Sequence, residues 1–138
     1  MIVADTGAIV ALIDADDRHH AVLAELFAAD PGAWLLPWAI LPEVDYLVAR
    51  YVGSRAAEAF HTDVAQGAFA VEWGHDDDLP RAREIRSRYA ALELGLVDSV
   101  VAAVTERLGA AAIATLDLRD FGGMTLSGNP KLFPRDLR

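Results

Sequence analysis

Two kinds of apolar pattern take turns along this chain: short continuous runs, and longer stretches in which apolar residues recur every three or four positions. The first run, Ile2-Val3-Ala4, stops at Asp5 and passes through Thr6 and Gly7 into a pattern suited to a helix. An acidic turn from Asp14 to Asp17 leads into a second helix with Leu23, Leu26 and Phe27 on one face, Asp16 or Asp17 being the expected N-cap. Asp30-Pro31-Gly32 ends it, and Trp34-Leu35-Leu36 reads as a buried strand closed by Pro37.

From Ile40 the spacing predicts a helix with Val44, Leu47, Val48 and Tyr51 in one stripe, broken at Gly53-Ser54. Another helix over 55–65 points Ala57, Phe60 and Val64 inward, and Phe69-Ala70-Val71-Glu72-Trp73 is expected to be a strand. The acidic cluster Asp76-Asp77-Asp78 suits the start of a helix carrying Ala82, Ile85, Tyr89 and Leu92, since negative charge favours a helix N-terminus. After Gly95 comes the strongest periodic stretch, Val97, Val100, Val101, Val104 and Leu108, stopped by Gly109. The run 110–116 then ends at Asp117, repeating the opening order of strand followed by Asp. Met124-Thr125-Leu126 is the expected last edge strand, with 129–138 irregular. Alternation of strands and helices predicts an α/β fold with a mostly parallel sheet covered on both faces.

Composition narrows what such a fold can do. At 138 residues, 54% of them hydrophobic, the chain fits one domain over 1–138 with a real core. No apolar run approaches the ~20 residues that span a bilayer. Asp5 interrupts the one stretch a signal peptide could use, so a cytoplasmic protein with no membrane contact is expected. The absence of cysteine excludes disulfides, thiolate catalysis and Cys-based metal sites, leaving oxygen or imidazole to hold any metal. A net charge of −9 opposes non-specific nucleic-acid binding by the whole surface, while leaving room for a local basic face, a bound cation or a basic partner.

The candidate chemistry is distributed. Asp5 follows the first strand, Glu43 lies in an early helical turn, Asp98 near a helix start, and Asp117 after a later strand. In a parallel sheet the strand ends and the first turns of the following helices share one edge, so these carboxylates can converge. Together they repel unless a cation neutralises them, and an oxygen-only donor set suits magnesium or manganese. Taken singly, each has an ordinary explanation: Asp5 and Asp98 as N-caps, Glu43 as a solvated side chain. Periodicity does not choose Glu43 over Asp45, nor Asp117 over Asp120. His19 and His20 lack a third ligand for zinc and read as a partly exposed helix start. Arg81, Arg83, Arg86 and Arg88 concentrate charge on one helix, as an RNA path or as surface pairing of the Glu84 and Arg88 kind. Trp34, Trp38 and Trp73 read as core or interface anchors rather than stacking platforms.

Four segments in order, Ile2-Val3-Ala4-Asp5-Thr6-Gly7-Ala8, Leu41-Pro42-Glu43, Leu96-Val97-Asp98-Ser99-Val100-Val101-Ala102-Ala103 and Ala114-Thr115-Leu116-Asp117-Leu118-Arg119-Asp120-Phe121, resemble the PIN-domain nucleases. Within that family the chain is similar to the VapC toxins of bacterial toxin–antitoxin modules. The resemblance implies a three-layer α/β/α sandwich with a sheet of about five strands and a Mg2+- or Mn2+-dependent endoribonuclease leaving a 5′-phosphate and a 3′-hydroxyl. It carries the acidic site onto Asp5, Glu43, Asp98 and Asp117, with Asp120 a neighbouring metal-ligand candidate and Thr6 and Thr115 in support. It also implies an RNA substrate, a VapB-type antitoxin, a homodimer that joins a larger toxin–antitoxin complex, and DNA contact only through the antitoxin. A haloacid-dehalogenase-like phosphatase wants an Asp where Gly7 stands, and a receiver domain wants a late strand-end lysine where Lys131 is the sole lysine. A non-catalytic interaction module acting through its partner is the alternative from another class.

Overall fold

The computed structural model describes residues 1–137. Five strands, β1 (Ile2–Ala4), β2 (Trp34–Pro37), β3 (Ala70–Glu72), β4 (Ala112–Ala114) and β5 (Lys131–Phe133), form one sheet in the order β3-β2-β1-β4-β5. Every pairing is parallel. Ile2 lies opposite both Trp34 and Ala112, so β1 is the central strand and the strand order reverses across it. The helices are α1 (Thr6–Ile13), α2 (His20–Ala29), α3 (Leu41–Tyr51), α4 (Ser54–Ala65), α5 (Asp78–Arg88), α6 (Leu96–Leu108) and the short α7 (Leu118–Gly122). Helix α1 packs on both α2 and α3, α3 on α4, and α5 on α6. Right-handed crossovers set these two groups on opposite faces of the sheet, giving the expected three-layer sandwich.

Burial follows from the patterns. Strand β4 is Ala112-Ile113-Ala114, buried throughout, and its small side chains admit the helix layer closely. Helix α6 is buried continuously from Ser99 to Thr105, and its polar members are satisfied locally: Thr105 Oγ1 donates to the Val101 carbonyl at 2.7 Å and Ser99 Oγ to that of Leu96 at 2.9 Å. Gly109 ends the helix in the left-handed conformation at φ 60°, where a Cβ is unfavourable. On the other face, Phe27 packs edge-on to Trp34, with ring centroids 5.4 Å apart, and Phe69 joins it to Phe60. Among the described residues no helix is long and apolar enough to cross a membrane.

Four local expectations are corrected. The last strand is β5 at Lys131–Phe133, inside the segment read as irregular, while Met124 and Leu126 are buried without joining the sheet. Three residues carry no period of their own; what makes β5 a strand is its pairing with β4, extended by the Thr115 N–H donating to the Phe133 carbonyl at 2.9 Å. Helix α2 is capped by neither Asp16 nor Asp17. It begins after His19, whose N–H donates to Asp17 Oδ1 at 2.7 Å, so that aspartate serves the preceding turn. Tyr51 leaves the apolar stripe and is 68% exposed, because α3 has passed the edge of the core by its last turn. Glu84 pairs with Arg81 at 3.0 Å rather than with Arg88.

Candidate active site

The carboxyl ends of β1 and β4 lie side by side at the reversal of strand order, where an open α/β sheet forms a crevice. The Asp5 N–H donates to the Ala114 carbonyl at 2.9 Å, so the last rung of the β1–β4 ladder fixes the Asp5 backbone. Asp5 stands at the N-cap position of α1, yet its side chain makes no capping bond. It turns into the crevice instead. Its Oδ2 accepts from Thr115 Oγ1 at 3.0 Å, and its buried Oδ1 has no hydrogen-bond partner. Burial pushes the Asp5 carboxyl up to about 6, against the lowering effect of the nearby Thr6 backbone N–H and the Thr115 hydroxyl, with the charges of Asp117 and Glu43 adding to the rise.

Asp5, Glu43, Asp98 and Asp117 all line one cleft of about 530 Å³, together with Thr6, Gly7 and the apolar wall of Leu47, Leu96, Val97 and Leu116. Glu43 enters from the first turn of α3 and Asp98 from the first turn of α6, whose N-cap is Gly95. The structure separates Glu43 from Asp45, which turns toward α4 and meets His61 Nε2 at 2.6 Å. Asp98 is pushed up to about 8, first by burial, then by the charge of Asp5, by carboxyl–carboxyl hydrogen bonding with Asp120 that favours its protonated form, and by the charges of Asp117 and Asp120.

Asp117 and Asp120 divide their work. Asp117 caps α7 through Oδ1, which accepts from the Asp120 N–H at 3.0 Å, and its own N–H donates to Thr115 Oγ1 at 3.0 Å. One hydroxyl, that of Thr115, therefore holds both the Asp5 carboxylate and the Asp117 backbone. Asp120 is not part of the cleft wall, but carboxylate oxygens of Asp98, Asp117 and Asp120 lie within 4.8 Å of one another. Thr6 is buried, with its Oγ1 unpartnered at the cleft.

These donors fit a hard divalent cation. The donor set is all oxygen, a buried Asp5 carboxylate oxygen has no partner, and two carboxyls are raised first by burial and then by the negative charge of their neighbours. Sequence patterning did not mark the apolar wall. Leu96 is 56% exposed at the start of its helix, and only its place beside Asp98 gives that exposure meaning. Of the other candidates, Trp34 is core, Trp73 is exposed, and His20 Nδ1 lies 3.0 Å from the Ala11 carbonyl.

A model of the PIN domain matches residues 2–122. The chain is 28% identical over 123 residues to Ribonuclease VapC26 of Mycobacterium tuberculosis, covering 89% of this chain and 91% of that protein. Among solved structures, the Mycobacterium tuberculosis toxin VapC20, described as cleaving the sarcin-ricin loop, matches with a TM-score of 0.78 and 27% identity over 91% of this chain and 97% of that one. The DNA-bound VapBC of Salmonella typhimurium shares the fold, with a TM-score of 0.73 at 16% identity over 95% of each chain.

Proposed function

Because the chain belongs to the PIN-domain family, we propose that it is a VapC-type toxin, a Mg2+- or Mn2+-dependent endoribonuclease of the cytoplasm that a cognate VapB-type antitoxin neutralises. The observation that carries this reading is the convergence of Asp5, Glu43, Asp98 and Asp117 in one cleft at the switch point of the sheet.

Asp5, Asp98 and Asp117 are the groups to hold the cation, with Asp120 close to Asp98 and Asp117, and Glu43 lining the same cleft. When bound, such an ion lowers the pKa of a coordinated water and neutralises charge growing on a phosphate. The chain's own contribution is order. Thr115 fixes Asp5 against Asp117 and the β1–β4 ladder holds the Asp5 backbone, while Glu43 on the same cleft would hold a second ion or orient the attacking water. The apolar wall keeps bulk solvent from one side of the cleft. In-line displacement at the phosphate then leaves a 5′-phosphate and a 3′-hydroxyl.

The relatives named ribonucleases and toxins support the activity, and the VapBC complex of similar fold supports an antitoxin as partner, with DNA reached only through it. A homodimer within a larger toxin–antitoxin complex belongs to the same reading. The test is RNA cleavage by the purified chain with magnesium, with a chelator, and with Asp98→Asn. Cleavage confined to the magnesium-loaded wild type is expected. Equal cleavage by Asp98→Asn, or none by the wild type stripped of its partner, overturns the nuclease reading and leaves an interaction module.

A further inference from the structure

A polyanionic substrate has to approach a cleft that is itself acidic and whose lining contains neither lysine nor arginine. Cations must therefore come from its rim, and several arginines are already committed elsewhere. Arg81 is spent on Glu106 at 2.8 Å and Glu84 at 3.0 Å, and Arg107 on Asp78 and Glu72 at 2.7 and 2.9 Å. Arg135 pairs with its neighbour Asp136. Arg88 lies over the Tyr89 ring.

Two arginines from different elements reach instead for one short segment, residues 92–94, which runs directly into Gly95, Leu96 and the cleft wall. Arg86 of α5 donates through Nε to the Leu94 carbonyl at 2.8 Å. Arg119 of α7 donates through Nη1 to the Leu92 carbonyl at 3.4 Å and to Asp120 Oδ1 at 3.3 Å. The carbonyl bonds orient the guanidiniums without cancelling their charge, since a backbone oxygen carries none. Arg86 keeps both terminal nitrogens for a ligand. Arg119 is 70% exposed and holds its partners at long distance, so its outer edge is open to solvent. An arginine anchored by one edge presents a pre-oriented fork, the geometry that suits phosphate.

We propose that Arg86 and Arg119 form a phosphate-binding rim on the α6–α7 side of the cleft, which grips the RNA backbone beside the cleaved bond. This rests on the nuclease reading and deepens it by assigning the residues that carry the substrate past the acidic site. Arg119 then has two states, paired with Asp120 in the free protein and with a phosphate in the complex.

The test is binding of a short fluorescein-labelled single-stranded RNA to the full chain with magnesium, followed by anisotropy across a salt series. Asp98→Asn in the background prevents cleavage. Arg86→Ala and Arg119→Ala are each expected to weaken binding several-fold and to reduce the slope of log affinity against log salt by about 0.7 for each phosphate left unneutralised. Arg86→Lys and Arg119→Lys keep the charge without the fork, so they should restore the slope and only part of the affinity. Arg55→Ala is the control: α3 rises about 12 Å from Glu43 to its last residue before α4 begins, so the same charge is removed beyond the far end of that helix. Wild-type affinity and slope in both alanine variants overturn the proposal, as does an equal loss with Arg55→Ala. If the background chain binds no RNA and the wild type cleaves none, the nuclease reading falls and takes the rim with it.

Discussion

Thr115 and Asp5, 110 residues apart in sequence, are joined by a buried hydrogen bond of 3.0 Å from the threonine hydroxyl to the carboxylate. The same hydroxyl accepts from the Asp117 N–H, so a single oxygen sets the spacing of two site residues. Thr115→Val keeps the shape and removes both bonds. It should cost about 1–3 kcal/mol of stability through unsatisfied buried groups and reduce RNA cleavage by about 10- to 100-fold, the usual loss for a residue supporting a metal ligand. Thr115→Ser should restore most of both. Thermal melts and cleavage rates on the three proteins check this, and an active, stable valine variant refutes it.

The acidic cleft sets how stability responds to pH. Asp5 and Asp98 are raised to about 6 and about 8, from an ordinary value of 3.8. Across that window the native chain binds more protons than the unfolded chain. Their contribution to stability is therefore complete below the ordinary value and is lost as pH rises through 6 for Asp5 and through 8 for Asp98. The metal-free protein should melt at a higher temperature near the lower end of this range than near the upper end. Asp98→Asn should flatten the trend, and an unchanged trend in that variant counts against the assignment.

Divalent cations should reverse the loss. Magnesium or manganese at about 100 times its dissociation constant is expected to stabilise the native chain by about 2.7 kcal/mol, with the gain reduced or absent in Asp5→Asn and Asp98→Asn. Scanning fluorimetry over a metal titration reads this directly. No shift in the wild type, or equal shifts in all three proteins, rules out this cluster as the binding site.

Asp117 has a structural duty and a proposed chemical one, and asparagine separates them. Asn caps a helix about as well as Asp, so Asp117→Asn should keep α7 and melt within about 0.5 kcal/mol of wild type. The missing charge should still slow cleavage by about 100-fold, or nearly 3 kcal/mol of barrier. A variant that cleaves normally would leave Asp117 as a cap alone.

Away from the cleft, Arg107 clamps the nearly buried Asp78 carboxylate with two bonds of 2.7 and 3.0 Å while holding Glu72 at the end of β3. Arg107→Met strands that carboxylate and should cost about 3 kcal/mol. Below its lowered melting temperature the variant should cleave RNA at the wild-type rate.

Legibility in the sequence tracked length and burial. The long buried helix α6 and the opening strand with its terminal Asp5 are readable because apolar periodicity and a sudden carboxylate are both local signals. Strand β5 and helix α7 are not, since three and five residues have no period and owe their conformation to β4 and to the Asp117 cap. Likewise Glu43 and Asp45 flank the same helical face, and only the packing of α4, which brings His61 to Asp45, shows which of them faces the cleft. Arg86 is legible as part of a charged helix but not as geometry, because its anchor is a backbone carbonyl, and Arg119 carries no charge pattern of its own.

The reversal of strand order at β1 also sets a timetable. A chain emerging from the ribosome presents Asp5 first and Glu43 soon after, but β1 lacks one of its two neighbours until residues 112–114 appear, and Thr115 and Asp117 follow them. Nascent fragments shorter than this carry Asp5, Glu43 and Asp98 but neither Asp117 nor the Thr115 lock on Asp5. Whatever the finished site does to RNA, it cannot do to its own messenger until residues 112–117 have been made.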